Sequence, residues 1–374
     1  MRKTFRTHSV TTRQRIYIWG SRTLGMECAD AYTQFPRGFM LPAPTYTLPD
    51  DNYAVVLNAN AGRVTGRLAR SVEQVVPRDR LFFTESTEHA DEVFQQCIRR
   101  EIGTVFAGGG DGTIIGAINA LNSLRGEQRM PNVGVLRLGT GNALAHWLGS
   151  GRPVQDLQRW NDGQVHRAVS MSLVEAEGTL FPFAGLGMDA AVLNDYNQIK
   201  KIAHERWWGR FAKGLTGYLI AGYLKTVPNY LRRPSQRVTV TNLGRPAFRV
   251  DAQGREIGHP IPTGGVIYSG PASAVCCATM PFYGYKMQMF PHATKRAGRF
   301  QLRLVDMSPL QVAWNISKVW RGQTPPGIHD FYVDRTHVSF EDAMPYQLGG
   351  EAMGYRKDVT FSLAEYPVTL VGQA

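Results

Sequence analysis

Apolar residues follow two rhythms along this chain. Between residues 53 and 150, short unbroken apolar runs alternate with stretches of helical spacing. Tyr53-Ala54-Val55-Val56-Leu57 reads as a buried strand ending at Asn58-Ala59-Asn60-Ala61-Gly62, and Thr65 to Val76 fits an amphipathic helix. Leu81-Phe82-Phe83-Thr84 reads as the next strand. Ala90, Val93, Phe94, Cys97 and Ile98 mark the inner face of a helix over Glu88 to Arg100. Thr104 to Ala107 is a third strand, a helix is expected from Thr113, and Val133-Gly134-Val135-Leu136 is a fourth strand. Strands alternating with helices predict an α/β fold with a parallel, doubly wound sheet and a ligand at the carboxyl ends of its strands.

Beyond Gly149 the rhythm shortens to alternation. Gln164 to Ala176, Gln236 to Val250, Gly265 to Tyr268, Tyr285 to Phe290, Arg299 to Asp306, His337 to Glu341 and Asp358 to Leu363 read as short strands separated by Gly and Pro. The exception is Asp195 to Leu231, where Trp207, Trp208, Phe211, Leu215, Tyr218, Leu219 and Tyr223 recur at helical spacing among Lys200, Lys201, Arg206, Arg210, Lys213 and Lys225. The expected organisation is a basic, proline-containing extension over 1–50, an α/β domain over 51–150 and a mainly β domain over 151–374, with room for a final strand returning to the first domain.

Composition narrows the function. A chain of 374 residues with 43% hydrophobic content supports a sizeable core. No apolar run is long enough to span a membrane, and the polar stretch Thr7 to Arg15 supplies no secretory core, so a cytoplasmic protein is expected. Cys28, Cys97, Cys276 and Cys277 lack metal-ligand spacing. The net charge of +12 draws polyanions or anionic membrane surfaces. Nucleic acid is the weaker partner, because no recognition motif accompanies the charge.

Two glycine clusters carry the chemistry. Gly108-Gly109-Gly110-Asp111-Gly112-Thr113 follows one strand and Gly139-Thr140-Gly141-Asn142 follows the next, which sets both on one sheet edge. Glycines let backbone N–H groups approach an anion, so a glycine loop between strand and helix is a phosphate cradle. An aspartate within such a loop suits Mg²⁺ binding or proton acceptance, or else caps the helix that follows.

Asn58 to Gly62, Thr84, Gly109 to Thr113 and Leu138 to Asn142, in this order and spacing, resemble the catalytic domain of the diacylglycerol kinase and sphingosine kinase superfamily. The likeness continues through Ala184-Gly185-Leu186-Gly187-Met188-Asp189-Ala190 and Gly349-Gly350-Glu351. It implies an NAD kinase- and phosphofructokinase-like α/β domain, a C-terminal β-sandwich, and ATP bound between them with Mg²⁺. It further implies transfer of phosphate to a hydroxyl of diacylglycerol or a related long-chain lipid. On that resemblance Asn58, Thr84, Gly109, Gly110, Asp111, Gly112, Thr113, Gly139, Thr140, Gly141 and Asn142 surround the nucleotide. Asp111 is the candidate metal and catalytic carboxylate, and Glu351 the second catalytic candidate. The lipid would be met at a membrane surface, with 195–231 as the candidate contact.

The sequence departs from the family pattern at three places. Gly349 stands where an aspartate is usual before Gly350-Glu351, which leaves Glu351 as either an acid/base or a turn residue. Lys295-Arg296-Ala297-Gly298 replaces an Asp-Gly pattern linked in bacterial relatives to a structural magnesium, and its cations take the place of that charge. Ala143 stands where an acid is usual, and Arg137 where a proline is usual. Two alternatives therefore stay open: a catalytically weak nucleotide- or lipid-binding protein, and an NAD kinase-like small-molecule kinase.

Overall fold

Val55 and Leu57 have no solvent exposure, and the neighbouring strand buries Val105, Phe106 and Ala107 on both faces as a parallel strand under helices does, while Leu81, Phe82 and Phe83 on the other side are only half-buried. The computed structural model describes residues 45–47, 49, 51–139, 141–203, 222, 226–231, 236–284 and 286–372. Strands Thr45–Thr47 (β1), Tyr53–Asn58 (β2), Leu81–Thr84 (β3), Thr104–Gly109 (β4), Asn132–Arg137 (β5) and His166–Met171 (β6) join Val368–Gly372 in one seven-stranded sheet. The order is β1, β6, Val368–Gly372, β5, β4, β2, β3. From Val368–Gly372 to β3 every pairing is parallel, whereas β6 and β1 run antiparallel.

Helices Gly66–Glu73 (α1), Thr87–Arg99 (α2), Asp111–Leu124 (α3), Ala143–Leu148 (α4) and Pro153–Asn161 (α5) connect these strands. Their starts are legible in side-chain chemistry: Thr65 and Ser86 cap α1 and α2 by accepting from Leu68 N at 3.3 Å and His89 N at 3.2 Å. α5 begins with Pro153, a residue suited to a first helical turn, and buries Leu157 and Trp160. Trp160 packs edge-on against Phe106 and Tyr53, which locks α5 to the sheet.

The second half of the chain is mainly antiparallel sheet, as the alternation predicts. Glu256–Ile261, Ala247–Val250, Ile328–Val333, Phe300–Val305, Ala274–Ala278, Phe183–Gly187, Arg335–Leu348, Glu351–Leu363, Val174–Ala176 and Thr179–Phe181 follow one another across it. Arg237–Asn242 and Val266–Pro271 branch from Arg335–Leu348 and share one core with the main path, in which Val238, Val240, Phe300, Leu302, Phe331, Val338 and Phe361 are buried together. Among the described residues, helices Met188–Ala203 (α6), Val227–Leu231 (α7) and Pro309–Trp320 (α8) interrupt it.

Three local expectations need correction. The strand expected over Tyr285 to Phe290 is absent from its described part, 286–290: Lys286 takes φ +64°, and Tyr283 N donates to Met287 O at 3.0 Å across a turn. α8 lies where no helix is expected, although Ser308 and Gln311 form a reciprocal capping box at its start. α3 begins at Asp111 rather than Thr113. Trp207, Trp208, Arg206, Arg210, Lys213, Lys225 and most of the 195–231 segment, with residues 1–44 and Thr140, lie outside the described residues. No described helix is long and apolar enough to cross a membrane.

Candidate functional site

The carboxyl ends of β4 and β5 are adjacent, with Gly109 opposite Arg137 in register. The loops that leave them interlock: a Cβ added to Gly139 would lie 2.3 Å from Gly110 Cα. Only a residue without a side chain fits at that backbone-to-backbone approach. Leu138 N donates to Gly109 O at 3.2 Å and adds a second tie between the loops.

Asn142 closes the second loop on itself. Its Oδ1 accepts from Gly139 N at 3.0 Å and its Nδ2 donates to Gly139 O at 2.5 Å. The residue sits at φ 49°, ψ 43°, a left-handed conformation that Asn tolerates better than most residues. The short helix α4 then starts with buried amide donors that have no partner within the helix, and Asp111 satisfies two of them. Its Oδ2 accepts from Ala143 N at 3.0 Å and its Oδ1 from Leu144 N at 3.1 Å. Asp111 thus caps α4, while α3, the helix of its own loop, has Gly110 at its N-cap position. Burial pushes the Asp111 carboxyl above its ordinary value, against the opposing pull of the Ala143, Leu144 and Asn142 amides.

A cleft of about 670 Å³ opens in front of these loops. Asn58, Thr84, Gly110, Gly112, Thr113, Gly139 and Glu351 all line it. Asn58 and Thr84 are partners across β2 and β3, and Asn58 Nδ2 donates to Thr113 Oγ1 at 3.2 Å. Gly109, Asp111, Gly141 and Asn142 form the layer behind the cleft: Gly109 packs on Thr113, and a Cβ on Gly141 would lie 3.1 Å from Asp111 Oδ2. The geometry therefore gathers the described candidates into one site in two layers.

Glu351 arrives from the other sheet. It opens the strand Glu351–Leu363, and its Oε1 lies 2.7 Å from where a Cβ of Gly112 would stand. Its turn is held from behind by Gln347, whose Oε1 accepts from Gly350 N at 2.8 Å. Gln347 Nε2 meets the Tyr283 hydroxyl at 2.5 Å and Asp189 Oδ2 at 3.3 Å, and that hydroxyl donates to Asp189 Oδ2 at 2.8 Å. Burial raises the Asp189 carboxyl above its ordinary value despite these donors.

Sequence reasoning did not find the rim from Glu85 to Asp91, which also lines the cleft. The cap Ser86 before Glu88 marks the start of α2 and is the signal that could have placed it. It also passed over an apolar cavity of about 120 Å³ lined by Met188, Asp189, Tyr283, Val312, Ile316 and Val319, among others.

Two carboxylates beside a phosphate cradle suit Mg²⁺ carried by a nucleotide, because that ion takes one or two protein carboxylates and fills its shell with phosphate oxygens and water. Glu351 lines the cleft where such an ion would sit, whereas Asp111 lies in the layer behind it with both oxygens accepting from the Ala143 and Leu144 amides. The 295–298 stretch does not fit a cation. Lys295 Nζ donates to Gln253 O at 2.6 Å, and Arg296 pairs with Glu256. Among the described residues no cluster of three or more His, Cys, Asp or Glu could hold a metal.

Residues 52–173 match the family model of the diacylglycerol kinase catalytic domain. The chain is 26% identical over 202 residues to diacylglycerol kinase 2 of Arabidopsis thaliana, a stretch that covers 47% of this chain and 28% of that protein. Among solved structures, a diacylglycerol kinase from Bacillus anthracis str. Sterne superposes with a TM-score of 0.56 at 16% identity, over 86% of this chain and 97% of that one. A second Bacillus anthracis str. Sterne chain of the same kind gives a TM-score of 0.60 at 18% identity, with the same coverage. At these identities the structural likeness shows the fold. The likeness to the diacylglycerol kinase superfamily is therefore shown, and with it the two-part architecture of α/β sheet and antiparallel β-structure.

Proposed function

With a diacylglycerol kinase-type catalytic domain in residues 52–173 as the premise, we propose that the chain is an ATP-dependent kinase that phosphorylates a hydroxyl of diacylglycerol or a related long-chain lipid. The observation that carries this reading is a hydrogen-bonded chain that links two unlike spaces. The glycine-loop cleft, with its polar cradle, borders Glu351, and the hydrogen bonds through Gln347 lead from that residue's turn to Asp189 in the wall of an apolar cavity. A soluble nucleotide acceptor has no use for a cavity walled by Met188, Val312, Ile316 and Val319.

The amides of the two glycine loops would donate to the phosphate oxygens. The magnesium, which when bound neutralises phosphate charge, would sit with the nucleotide in the cleft that Glu351 lines. A hydroxyl oxygen of the acceptor attacks the γ-phosphorus, the bond to the β-phosphate bridging oxygen breaks, and ADP leaves with that electron pair. The hydroxyl proton passes to a carboxylate. Glu351, which lines the cleft beside Gly112, is the one placed for that task, while Asp111 is a positioning residue whose bonds to the Ala143 and Leu144 amides hold the two loops together.

The rival reading of a weak catalyst draws support from Gly349, which leaves Glu351 without a neighbouring acid. One assay separates these readings. Purified protein is incubated with labelled ATP, Mg²⁺, a panel of long- and short-chain lipids, and NAD. Transfer to long-chain lipid is expected, with loss in Asp111→Asn and Glu351→Gln. Ile316→Trp, which fills the cavity, should raise KM for long acyl chains more than for short ones. ATP binding without transfer to any acceptor favours the weak catalyst, and transfer to NAD alone favours the small-molecule kinase.

A further inference from the structure

From Ile257 to His329 the chain holds one acidic residue, Asp306, against seven Lys and Arg. α8 lies within this stretch. Leu310 is 59% exposed and Trp314 is 84% exposed, one helical turn apart, and Lys318 and Arg321 continue the same row. The other face of α8 carries Val312, Ile316 and Val319 into the wall of the apolar cavity. Gln288 N donates to Trp320 O at 3.0 Å, which ties the turn bearing Lys286 to the end of the helix. Lys286, Lys318 and Arg321 have no carboxylate partner among the described residues.

A large indole held in water beside unpaired cations is poor surface chemistry for a free protein and good chemistry for a headgroup boundary. There the ring sits half-dry, the aliphatic stems of Lys and Arg lie along it, and their charges meet anions. A second copy of the chain is disfavoured as the occupant, because pairing this face with itself would bring like charges together.

We propose that the outer face of α8, with Leu310, Trp314, Lys318 and Arg321, together with Lys286, docks on a lipid bilayer that carries anionic headgroups. The proposal rests on the lipid-acceptor reading, since docking would hold the helix that walls the cavity against the membrane that supplies the acceptor.

Cosedimentation of the full chain with phosphatidylcholine vesicles, with and without phosphatidylglycerol, tests it. Binding is expected only to the anionic vesicles, with weakening by added salt. Lys318→Gln and Arg321→Gln should each lower the partition coefficient by about fivefold, and Trp314→Ala by roughly tenfold. Thermal melts of these exposed-site variants should match the parent. The proposal is overturned if the parent ignores anionic vesicles, if Trp314→Ala binds them as well as the parent, or if that substitution instead abolishes concentration-dependent self-association. The kinase reading is tested apart, with acceptor dispersed in detergent. Transfer there without vesicle binding sinks the docking face alone, whereas vesicle binding without any transfer sinks the kinase alone.

Discussion

The Asp111 carboxylate and the Ala143 amide, 32 positions apart, stand 3.0 Å from one another and join the two glycine loops through a helix start. A loop aspartate that serves a neighbouring loop's helix fixes the relative position of both cradles. Its charge then sits at a constant distance from any phosphate they hold.

Asp111→Asn keeps the shape but turns one acceptor into a donor facing an amide N–H. The stability loss should be about 1–3 kcal/mol, read from denaturant unfolding. Phosphoryl transfer should fall at least roughly 100-fold. A purely structural aspartate would instead lose stability and keep its rate in the folded fraction.

Gly139→Ala and Gly112→Ala should part company. The new Cβ at Gly139 meets the backbone of Gly110 at 2.3 Å, where nothing yields, so the fold loses roughly 2–4 kcal/mol. At Gly112 it meets the flexible end of Glu351 at 2.7 Å. That variant should melt near the parent temperature and lose transfer through displacement of the carboxylate. A thermal melt and an initial-rate assay on both variants decide the point.

Arg303 and Asp330 form a fully buried pair, with Nε to Oδ1 at 2.8 Å and Nη2 to Oδ2 at 2.7 Å. Burial pushes the Asp330 carboxyl up, but the Arg303 charge and the hydrogen bonds from Arg303 and Gln301 hold it below its ordinary value. Its contribution to stability is present above pH 3.8 and is lost as pH falls through the depressed value. Arg303→Met strands the carboxylate and should lower stability by about 3–5 kcal/mol. The double substitution Arg303→Met with Asp330→Leu should recover part of that loss, which a double-mutant cycle in denaturant would measure.

His292 should govern stability in the mildly acid range. Burial, aided by Lys295 and Arg303, pushes its imidazole down from 6.5 to about 4, although Asp330 and Asp251 pull the other way. A depressed histidine favours folding above pH 6.5 and opposes it as the pH falls toward 4, because the unfolded chain takes up the proton first. Relative to His292→Phe, the parent should lose about 3 kcal/mol across that window. Urea unfolding at a series of pH values gives the difference directly, and parallel curves for the two proteins would exclude the role.

The sequence alone revealed the α/β half of the fold well, because its signals are local. Val55, Val56 and Leu57 announce a buried strand, and Gly108 to Thr113 announces a strand-to-helix turn. The site was legible only as far as its residue types. Asn58, Thr84 and the glycines are visible, but that Asp111 caps α4, or that Gln347 braces the turn before Glu351, depends on pairings between distant segments. The turn at Lys286 was misread because Tyr285, Met287 and Met289 alternate with polar residues as a strand does, and periodicity is blind to a single residue at positive φ. α8 was missed despite its capping box, since the exposed Leu310 and Trp314 add apolar positions to its outer face and blur the stripe of Val312, Ile316 and Val319.

The strand Val368–Gly372 lies between β5 and β6, antiparallel to β6 and parallel to β5. During synthesis those two strands therefore wait, each with an open edge, until residues 368–372 have left the ribosome. The sheet that bears the glycine loops gains its inner seam from residues far downstream of β5 and β6, so it has a high contact order and a long interval of exposure to wrong pairing. A chain halted just short of residue 368 would carry both glycine loops and still lack the brace beneath β5, from which the second of them springs.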